Sequence, residues 1–402
     1  MKNRRLRTVV AGFVVGAVAL AACGGDDDDD ADATTPAATA SSDTTAASDA
    51  TTAPEDTAAA ETVPADTAAD ETTPADTGAE DTASGEPVTL RLAYFPNVTH
   101  APAIIGVESG LFQDALGPNV TLELTTFNSG TEAIEALFAD AIDASFIGPN
   151  PAISGYARSD GEALRIVAGT TSGGASLVVS QDINSAADLV GKTLATPSLG
   201  NTQDVALRAW LKDEGYTTDT SGGGDVHITP QENADTLTAF QSGTIAGAWV
   251  PEPWATRLVQ DGGGKVLVNE RDLWPDGQFV TTHLIVATGF LDEHPDTIRD
   301  LISGLGDAID EANEDPTVAQ AEVNAGIERI TSKPLADAVI AGAWENLEFT
   351  LDPIASSLQG SADDAIAAGL LEEVDLADPG IYDLTLLNEV LAERDEDEVP
   401  GL

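Results

Sequence analysis

The stretch Asp143-Ala144-Ser145-Phe146-Ile147-Gly148-Pro149-Asn150-Pro151-Ala152-Ile153 combines a strand, a turn and a helix start. Residues 144–147 form a short apolar run that is typical of a buried strand, and Gly148 permits a tight turn. Asn150 suits a helix N-cap, and Pro151 suits the first helical turn, where a missing N–H is harmless. The stretch therefore predicts a helix N-terminus at the carboxyl end of a strand. Free N–H groups and the positive end of the helix dipole suit such a site to a small anion or polar group.

The same arrangement of strand, turn and helix recurs along the chain. Strands are predicted at 88–93, 120–126, 144–147, 163–168, 175–180, 192–195, 226–229, 245–250 and 281–287. Helices are predicted at 103–109, 131–139 and 233–241, after the turn at 197–203, between 254 and 260, and from 292 onward. Strands that alternate with helices imply a mostly parallel sheet, with ligands at the carboxyl ends of the strands. The strand at 281–287 would return the chain to the first of two α/β lobes and leave a cleft between them.

The N-terminus predicts export. Basic residues lie within residues 1–7, and an apolar run that is short for a membrane span follows at 8–22. Residues 1–22 are therefore interpreted as a signal peptide. Leu20-Ala21-Ala22-Cys23-Gly24 resembles the bacterial lipobox, which implies cleavage before Cys23 and lipidation of its thiol. Cys23 is the single cysteine of the chain, so no internal disulfide can form.

Residues 23–86 are predicted to be a lipidated, acidic and disordered tether. Asp, Glu, Thr, Ala and Pro dominate this segment, and residues 24–86 contain no Lys, Arg or aromatic side chain. Such a composition cannot bury enough apolar surface to fold, and its charges repel one another.

The charge and the motifs exclude several classes of function. The chain of 402 residues has a formal net charge of -52, which argues against nucleic acid and other polyanionic partners. The sequence lacks a Walker-type loop, a Ser nucleophile elbow and a His/Cys metal spacing. We therefore expect no catalytic residue, no metal and no cofactor. The folded part is predicted as one lobe from 87–180 with 283–402, and a second lobe from 181–282.

Several motifs in the folded part occur in a recognisable order. An Ala-Pro helix start follows the first strand at 101–102, Gly-Pro-Asn-Pro spans 148–151, Gly-Asn begins a helix at 200–201, and Trp-x-Pro-Glu-Pro-Trp spans 249–254. In this order they resemble the nitrate/sulfonate/taurine branch of bacterial solute-binding proteins for ABC importers. The resemblance implies a type II periplasmic-binding-protein fold, an α/β fold of two lobes with two mixed sheets flanked by helices and a hinged cleft. It also implies a monomer that delivers a small ligand to a permease and ATPase from the outer face of the membrane.

The resemblance implies a set of cleft residues on each lobe. On the first lobe these are Phe95, Asn97, His100, Asn128, Gly148, Asn150, Thr170 and Thr171. On the second lobe they are Ser198, Asn201, Thr202, Gln203, Trp249 and Glu252, with His283 near the return crossing. Amides, hydroxyls and helix N-termini can bind a sulfonate or nitrate without a full opposing charge, while Trp249 or Phe95 packs the organic part.

Four of the polar residues have a structural alternative. Asn128 and Asn150 occupy turn and cap positions, which favour Asn for backbone reasons. Thr170 and Thr171 could equally be ordinary loop residues.

The remaining candidates leave more specific alternatives. Only one of Trp249 and Trp254 is expected to touch ligand, since buried Trp more often belongs to a core. Glu252 could face a ligand amine, or it could cap the helix that follows it. His100 and His283 could each donate to an anion or serve a structural role.

The expected ligand carries little charge. No Arg or Lys occurs in the predicted cleft turns, and Arg208 lies too far into its helix to reach the cleft. A monoanion, a zwitterion or a neutral heterocycle therefore fits better than a dianion. Sulfonates including taurine come first, followed by nitrate, aromatic carboxylates and thiamine-related pyrimidines.

Two other classes of function stay open. Enzymes of thiamine-pyrimidine and menaquinone biosynthesis share the fold. The pyrimidine synthases carry a cysteine cluster that this domain lacks, and the menaquinone enzymes are cytosolic, whereas this chain has an export signal. A receptor that presents its ligand to a sensory partner is the third class.

Overall fold

The computed structural model describes residues 86–402, which fold around two β-sheets. The strands are β1 Val88–Tyr94, β2 Val120–Thr126, β3 Ala144–Ile147, β4 Leu164–Gly173, β5 Ala175–Val179, β6 Thr193–Thr196, β7 His227–Pro230, β8 Gly247–Pro251, β9 Lys265–Asn269, β10 Val280–Ala287 and β11 Leu347–Phe349. The first sheet has the order β11-β4-β10-β3-β1-β2, and the second has the order β7-β6-β8-β5-β9. The signal peptide, the lipidation of Cys23 and the tether were predicted for residues that lie outside the described range, apart from residue 86.

Both sheets are mixed. In the first sheet, β1 pairs in parallel with β2 and β3, whereas β10 runs antiparallel between β3 and β4. In the second sheet, β6 pairs in parallel with β7 and β8, whereas β5 runs antiparallel between β8 and β9. The parallel strands bring their carboxyl ends to one edge of each sheet, and the helices that follow begin there.

Helices cover both faces of the sheets. They are α1 Ala101–Glu108, α2 Leu111–Leu116, α3 Gly130–Phe138, α4 Pro149–Arg158, α5 Thr202–Asp213, α6 Asn233–Gln241, α7 Trp254–Gln260, α8 Thr288–Glu293, α9 Pro295–Glu314, α10 Pro316–Thr331, α11 Asp337–Trp344, α12 Ala355–Ala367 and α13 Thr385–Glu393. Pro occurs in the first turn of α1, α4, α9 and α10, where its missing N–H leaves no bond unmade. The local sequence therefore fixes where these helices start.

Each sheet is buried on two sides by separate apolar clusters. In the first lobe, α1, α2, α9, α10 and α13 pack on one face, and α3, α4 and α12 pack on the other. In the second lobe, α5 covers one face, and α6 and α7 cover the opposite face. This layering leaves the strand ends and the helix starts as the polar parts of each lobe, and these parts meet between the lobes.

The crossing from the first sheet to the second consists of two glycines. Gly173 ends β4 and Gly174 precedes β5, with φ values of 79° and 75°. A side chain is strained in this left-handed region, and an added Cβ would also lie 2.4 Å from Arg271 at Gly173 and 2.1 Å from Leu347 at Gly174. Glycine is therefore required where the chain passes between the lobes.

Most predicted elements have counterparts within a few residues, but four boundaries need correction. Strand pairing places β5 in the second sheet and all of β10 in the first, so the chain crosses at Gly174 and before Val280, and not at the predicted residues 180 and 283. β4 extends to Gly173, although a turn was predicted from residue 169. The helix at 149–158 is capped by Gly148, and Asn150 already lies inside it.

Strands β9 and β11 were missed, because each is a short edge strand with weak patterning.

Among residues 86–402, no helix combines the length and the apolar character that crossing a membrane requires.

We predict that Phe146→Ala lowers the free energy of unfolding by about 3–5 kcal/mol, because it empties a buried aromatic site. Phe146 lies on β3 with 0% exposure, and its ring stacks at 6.0 Å on that of Phe112. The control is Phe138→Ala, since Phe138 is 37% exposed and contacts Arg158 at the surface. Its loss should stay below about 1 kcal/mol. Urea unfolding of both variants measures the difference, and equal losses would contradict the burial argument.

Candidate ligand-binding site

A small chamber of about 40 Å³ lies between the lobes, at the ends of strands from both sheets. Its walls are formed by Phe95, Asn97, Thr99, His100, Asn128, Ser129, Gly130, Gly148, Pro151, Pro197, Asn201, Thr202, Gln203, Asn233, Pro251 and Thr281. None of these side chains carries a formal charge except as a protonated histidine. A volume of this size holds a few water molecules or one compact polar group.

Five helices begin at the chamber. His100, Ser129, Gly148 and Asn201 are the N-caps of α1, α3, α4 and α5, and Asn233 is the first residue of α6. The N–H groups in the first turn of a helix have no acceptor within the helix, and the helix dipole adds a partial positive charge there. Pro102, Pro149 and Pro151 remove N–H groups from the first turns of α1 and α4, and the Ala101 N–H already donates to the Val98 carbonyl. The described residues of the chamber wall therefore offer an anion main-chain donors chiefly at the starts of α3, α5 and α6, with no Lys or Arg among them.

The lobes approach each other closely at Gly148 and Thr202. A Cβ atom on Gly148 would lie 2.5 Å from the Thr202 hydroxyl oxygen, which is shorter than any relaxed contact. Gly148 has an ordinary φ of -73°, so the constraint is space and not backbone conformation. Glycine at this position lets the start of α4 meet the start of α5.

His100 contributes a neutral side chain to the chamber. Complete burial lowers the pKa of its imidazole to about 3, so the ring is uncharged near neutral pH. The Phe95 N–H donates to Nδ1 over 3.4 Å, and this assigns the ring hydrogen to Nε2. His100 can therefore act as a hydrogen-bond donor, and it adds no positive charge.

A buried ion pair supports the start of α5 from behind. The Asp204 carboxylate accepts hydrogen bonds from the Thr196 hydroxyl, the Gly200 N–H and Arg208 Nε, each at 2.9 Å. The Asp204 N–H in turn donates to Asn201 Oδ1 at 3.1 Å. Both charges are almost fully buried, so they compensate each other inside the second lobe. The pair holds the turn that presents Asn201 to the chamber.

The structure brings together eight of the predicted site residues and separates the other seven. The chamber walls include Phe95, Asn97, His100, Asn128, Gly148, Asn201, Thr202 and Gln203. The residues that do not line it are Asn150, Thr170, Thr171, Ser198, Trp249, Glu252 and His283.

Three of the misplaced residues belong to the framework of the first lobe. Asn150 is buried, and its Nδ2 donates to the Ser361 carbonyl at 2.9 Å. The hydroxyl of Thr170 donates to the Thr282 carbonyl, and that of Thr171 donates to the Thr99 carbonyl. They do not line the chamber, because α4 starts earlier and β4 ends later than the sequence indicated.

Trp249 and Ser198 also lie away from the chamber. The Trp249 side chain is fully buried in the second lobe, where its Nε1–H donates to the Glu270 carboxylate at 2.7 Å. Of the two tryptophans considered, Trp254 is the one that faces a cavity between the lobes. Ser198 lines a neighbouring surface pocket, and its buried hydroxyl has no partner among the described residues.

Glu252 and His283 follow the structural alternatives. The Glu252 carboxylate accepts from the Thr256 N–H and hydroxyl, both at 3.0 Å, and so caps the first turn of α7. It also accepts from Asn346 across the lobes at 2.7 Å, and burial raises its pKa. His283 is fully buried in β10, and burial lowers its pKa to about 3.

Sequence reasoning missed half of the chamber wall. The additional residues are Thr99, Ser129, Gly130, Pro151, Pro197, Asn233, Pro251 and Thr281. Ser129, Gly130 and Asn233 stand at helix starts, so the rule used for Gly148 and Asn201 would have found them. Asn233 Oδ1 is buried and has no partner among residues 86–402, which leaves a polar atom available at the wall. Thr281 lies within a strand pattern that carries no such signal.

A larger pocket of about 690 Å³ lies beside the chamber. Asn97, Asn128 and Asn233 line both cavities. At their junction the Trp254 indole N–H donates to Asn97 Oδ1 at 3.0 Å, which joins the two lobes. We call this larger cavity the outer pocket.

Residues 83–325 match the model of the NMT1-like family. The chain belongs to this family. The taurine-binding periplasmic protein of Escherichia coli strain K12 is 25% identical over 254 residues, which covers 63% of this chain and 76% of that protein.

Solved structures agree with the predicted fold. The alkanesulfonate-binding protein SsuA from Xanthomonas axonopodis pv. citri, bound to MOPS, is 20% identical with a TM-score of 0.61, over 74% of this chain and 98% of that chain. The periplasmic nitrate-binding protein NrtA from Synechocystis PCC 6803 is 16% identical with a TM-score of 0.66, over 79% of this chain and 92% of that chain. The predicted two-lobed α/β fold with two mixed sheets is thereby confirmed for this NMT1-like protein.

We predict that Arg208→Leu destabilises the protein by about 3–5 kcal/mol, because it leaves the Asp204 carboxylate buried without its cation. Arg158→Leu is the matched control, since the Arg158–Glu135 pair is exposed at 50% and 62% and should contribute about 0–1 kcal/mol. Denaturant unfolding measures both. The double variant Asp204→Asn with Arg208→Leu should recover part of the loss, and a single variant as stable as the control would contradict the supporting role of the pair.

Proposed function

We propose that this NMT1-like protein binds an organosulfonate and delivers it to the permease and ATPase of an ABC importer. The observation that carries the proposal is the uncharged chamber of about 40 Å³ where five helices begin. A sulfonate is compact, carries a single negative charge and presents three acceptor oxygens, which match several N–H donors without a full opposing charge. The similarity to the taurine-binding protein of Escherichia coli supports the same class of ligand.

The chemistry of the chamber favours binding over catalysis. A general acid or base works best when its pKa lies near the working pH. His100 is the one titratable side chain on the chamber wall, and burial lowers its pKa to about 3. It is therefore a poor proton acceptor at neutral pH, whereas it remains a good hydrogen-bond donor.

The N-terminal sequence supports a place outside the cytoplasm. We propose that the signal peptide at 1–22 directs export, that Cys23 carries the lipid, and that the acidic segment at 23–86 separates the membrane surface from the binding domain. Lipidation on one cysteine would hold the protein at the outer face of the membrane, near its permease. A monomer suffices for this role, because both walls of the chamber come from one chain.

Nitrate is the second candidate ligand. The inner chamber alone is large enough for it, and the fold is shared with the nitrate-binding protein of Synechocystis. Nitrate would leave the outer pocket without a role in recognition.

We predict that methanesulfonate binds to the purified protein and that Gly148→Ala weakens this binding by about tenfold or more, equivalent to about 1.4 kcal/mol. The added methyl group would meet the Thr202 hydroxyl and keep the two helix starts apart. Gly289→Ala is the control, because a Cβ there meets nothing within 4 Å. Titration calorimetry with methanesulfonate and with nitrate measures the affinities. Binding of nitrate alone would replace the first candidate by the second, and binding of neither would refute the proposed function.

We also predict that methanesulfonate affinity changes by less than about twofold between roughly pH 5.5 and pH 8. An imidazole with an ordinary pKa of about 6.5 would gain positive charge as the pH falls and would tighten anion binding. His100 remains neutral over this range, since its pKa is about 3. Burial raises the pKa of Glu270 to about 7, but Glu270 bonds to Trp249 inside the second lobe and does not line the chamber. Calorimetry across the range measures the profile, and a marked increase in affinity at acidic pH would show that His100 titrates.

A further inference from the structure

Two helices from opposite lobes lie side by side near the chamber. α7 belongs to the second lobe, where Ala255 and Leu258 pack into the core. α11 belongs to the first lobe, where Ile340 and Ala343 pack into the core. Each helix buries its apolar side within its own lobe and turns a different side toward the other lobe. The contact between them is therefore an interface between lobes and not part of either core.

The contacts across this interface recur every four residues, in opposite chain directions. Asn346 Nδ2, just after α11, donates to Glu252 Oε1, just before α7, at 2.7 Å. At the other end, Gln260 Nε2 donates to the Ala338 carbonyl at 3.1 Å. Between these two hydrogen bonds, Gly342 lies against Thr256. A step of about one helical turn on both sides indicates antiparallel packing. We call these six residues the α7–α11 seam.

Gly342 sets how closely the two helices approach. A Cβ atom at this position would lie 3.2 Å from both Thr256 Cγ2 and Gln260 Nε2, which is tighter than most relaxed contacts. Gly342 lies within α11, where glycine is a weaker helix former than alanine. A larger residue would favour the helix itself but would push α7 of the other lobe away.

The seam starts where the chain crosses between the lobes. The Glu252 N–H donates to the carbonyl of Gly174, one of the two crossing glycines, at 2.8 Å. α7 leads away from this point, so a rotation of the lobes about the crossing would displace Gln260 more than Glu252. In the first turn of α7, Trp254 donates to Asn97 on the chamber wall. The seam and the chamber therefore form in the same arrangement of the lobes.

The composition of the seam suits an interface that can separate. Its side chains are small or polar, so parting them exposes little apolar surface, as is usual between domains that move. None of its six residues lines the chamber or the outer pocket. The contacts of the seam therefore require no ligand.

We propose that the α7–α11 seam holds the lobes together before ligand binds, so that its residues set ligand affinity from outside the site. They act as positioning residues, because they bring the two walls of the chamber together. When only a fraction of the free protein is in the binding-competent state, the apparent affinity falls by that fraction for every ligand. The effect on affinity rests on the proposed function, whereas the effect on the distance between the lobes requires no ligand.

A pair of leucine substitutions on α11 tests the seam. Gly342→Leu places a side chain against α7, whereas Ala341→Leu adds the same side chain at the neighbouring exposed position. Spin labels on Ala325→Cys in α10 and Ser242→Cys after α6, both exposed and on opposite lobes, measure the distance between the lobes by pulsed electron paramagnetic resonance. The full-length chain carries Cys23→Ser so that no other thiol is labelled.

In the absence of ligand, the unmodified seam and Ala341→Leu should give one short distance, and Gly342→Leu should shift the distribution to longer distances. A long distance with the unmodified seam, or the same distribution in Gly342→Leu as in Ala341→Leu, would overturn the inference. Gln260→Ala is a second variant for the case in which Gly342→Leu does not fold, because Gln260 is exposed. It removes the outermost hydrogen bond and should shift the distribution in the same direction.

Titration calorimetry then tests the effect on affinity. Gly342→Leu should weaken methanesulfonate and nitrate by the same factor, about threefold or more, while Ala341→Leu leaves both unchanged. Unequal factors would show that the substitution acts through contacts with one ligand, and would overturn the positioning role. Absence of binding for both ligands would refute the proposed function, and the distance measurement alone would then decide whether the seam holds the lobes together.

Discussion

Backbone N–H groups at helix starts, chiefly those of α3, α5 and α6, are the interaction on which the proposed site depends. They converge because parallel strands end at one edge of each sheet and each following helix begins there. The two edges face each other, so donors from both lobes surround one chamber. An anion bound between them would join the lobes, whereas without it the same partial positive charges would face one another. In the proposed function, ligand binding and lobe closure would therefore be consequences of the same geometry.

The absence of Lys and Arg from the chamber has a physical rationale. A cation on the wall would have to be desolvated in the empty site, and that cost is large unless a partner is present. The buried cation beside the site, Arg208, has such a partner in Asp204, and the pair is used to hold the turn before α5. Helix dipoles need no counterion, and their partial positive charge does not disappear when the pH rises. They also favour a single negative charge, because partial charges compensate a dianion less completely.

Sequence reasoning was most successful where a local rule decides the geometry. Gly148 lies in a turn that the local sequence predicts, and Asn201 caps the helix predicted after it; both lie on the chamber wall, although Asn201 and Thr202 became candidates through the resemblance to a family. It was less successful where long-range contacts decide. Thr170 was assigned to a loop, but pairing with β10 continues β4 past Gly169 and turns its hydroxyl toward a backbone carbonyl.

The position of Trp249 also depends on a contact that the local sequence does not show. Nothing in the run from 249 to 254 distinguishes its two tryptophans, because both flank the same Pro-Glu-Pro. The difference arises from Glu270, which is 21 residues away in sequence and accepts the Trp249 N–H inside the second lobe. Trp254 follows the turn and meets Asn97 of the opposite lobe. Glu252 differs, because its bonds from Thr256 are local and were anticipated, and only the further bond from Asn346 depends on the complete fold. Partners distant in sequence therefore set which of these side chains can reach a ligand.

The two cavities divide recognition between backbone and side chains. In the chamber, main-chain groups of the helix starts stand beside the side chains of His100 and several amides, and at Gly148 a substitution changes the fit by removing space. In the outer pocket the surface consists of side chains on α6, α7, α10 and α11, which can change without moving a strand end. Leu237 on α6, Ile327 on α10 and Val339 on α11 lie outside the motifs by which the fold is recognised, whereas Trp254 on α7 ends one of them.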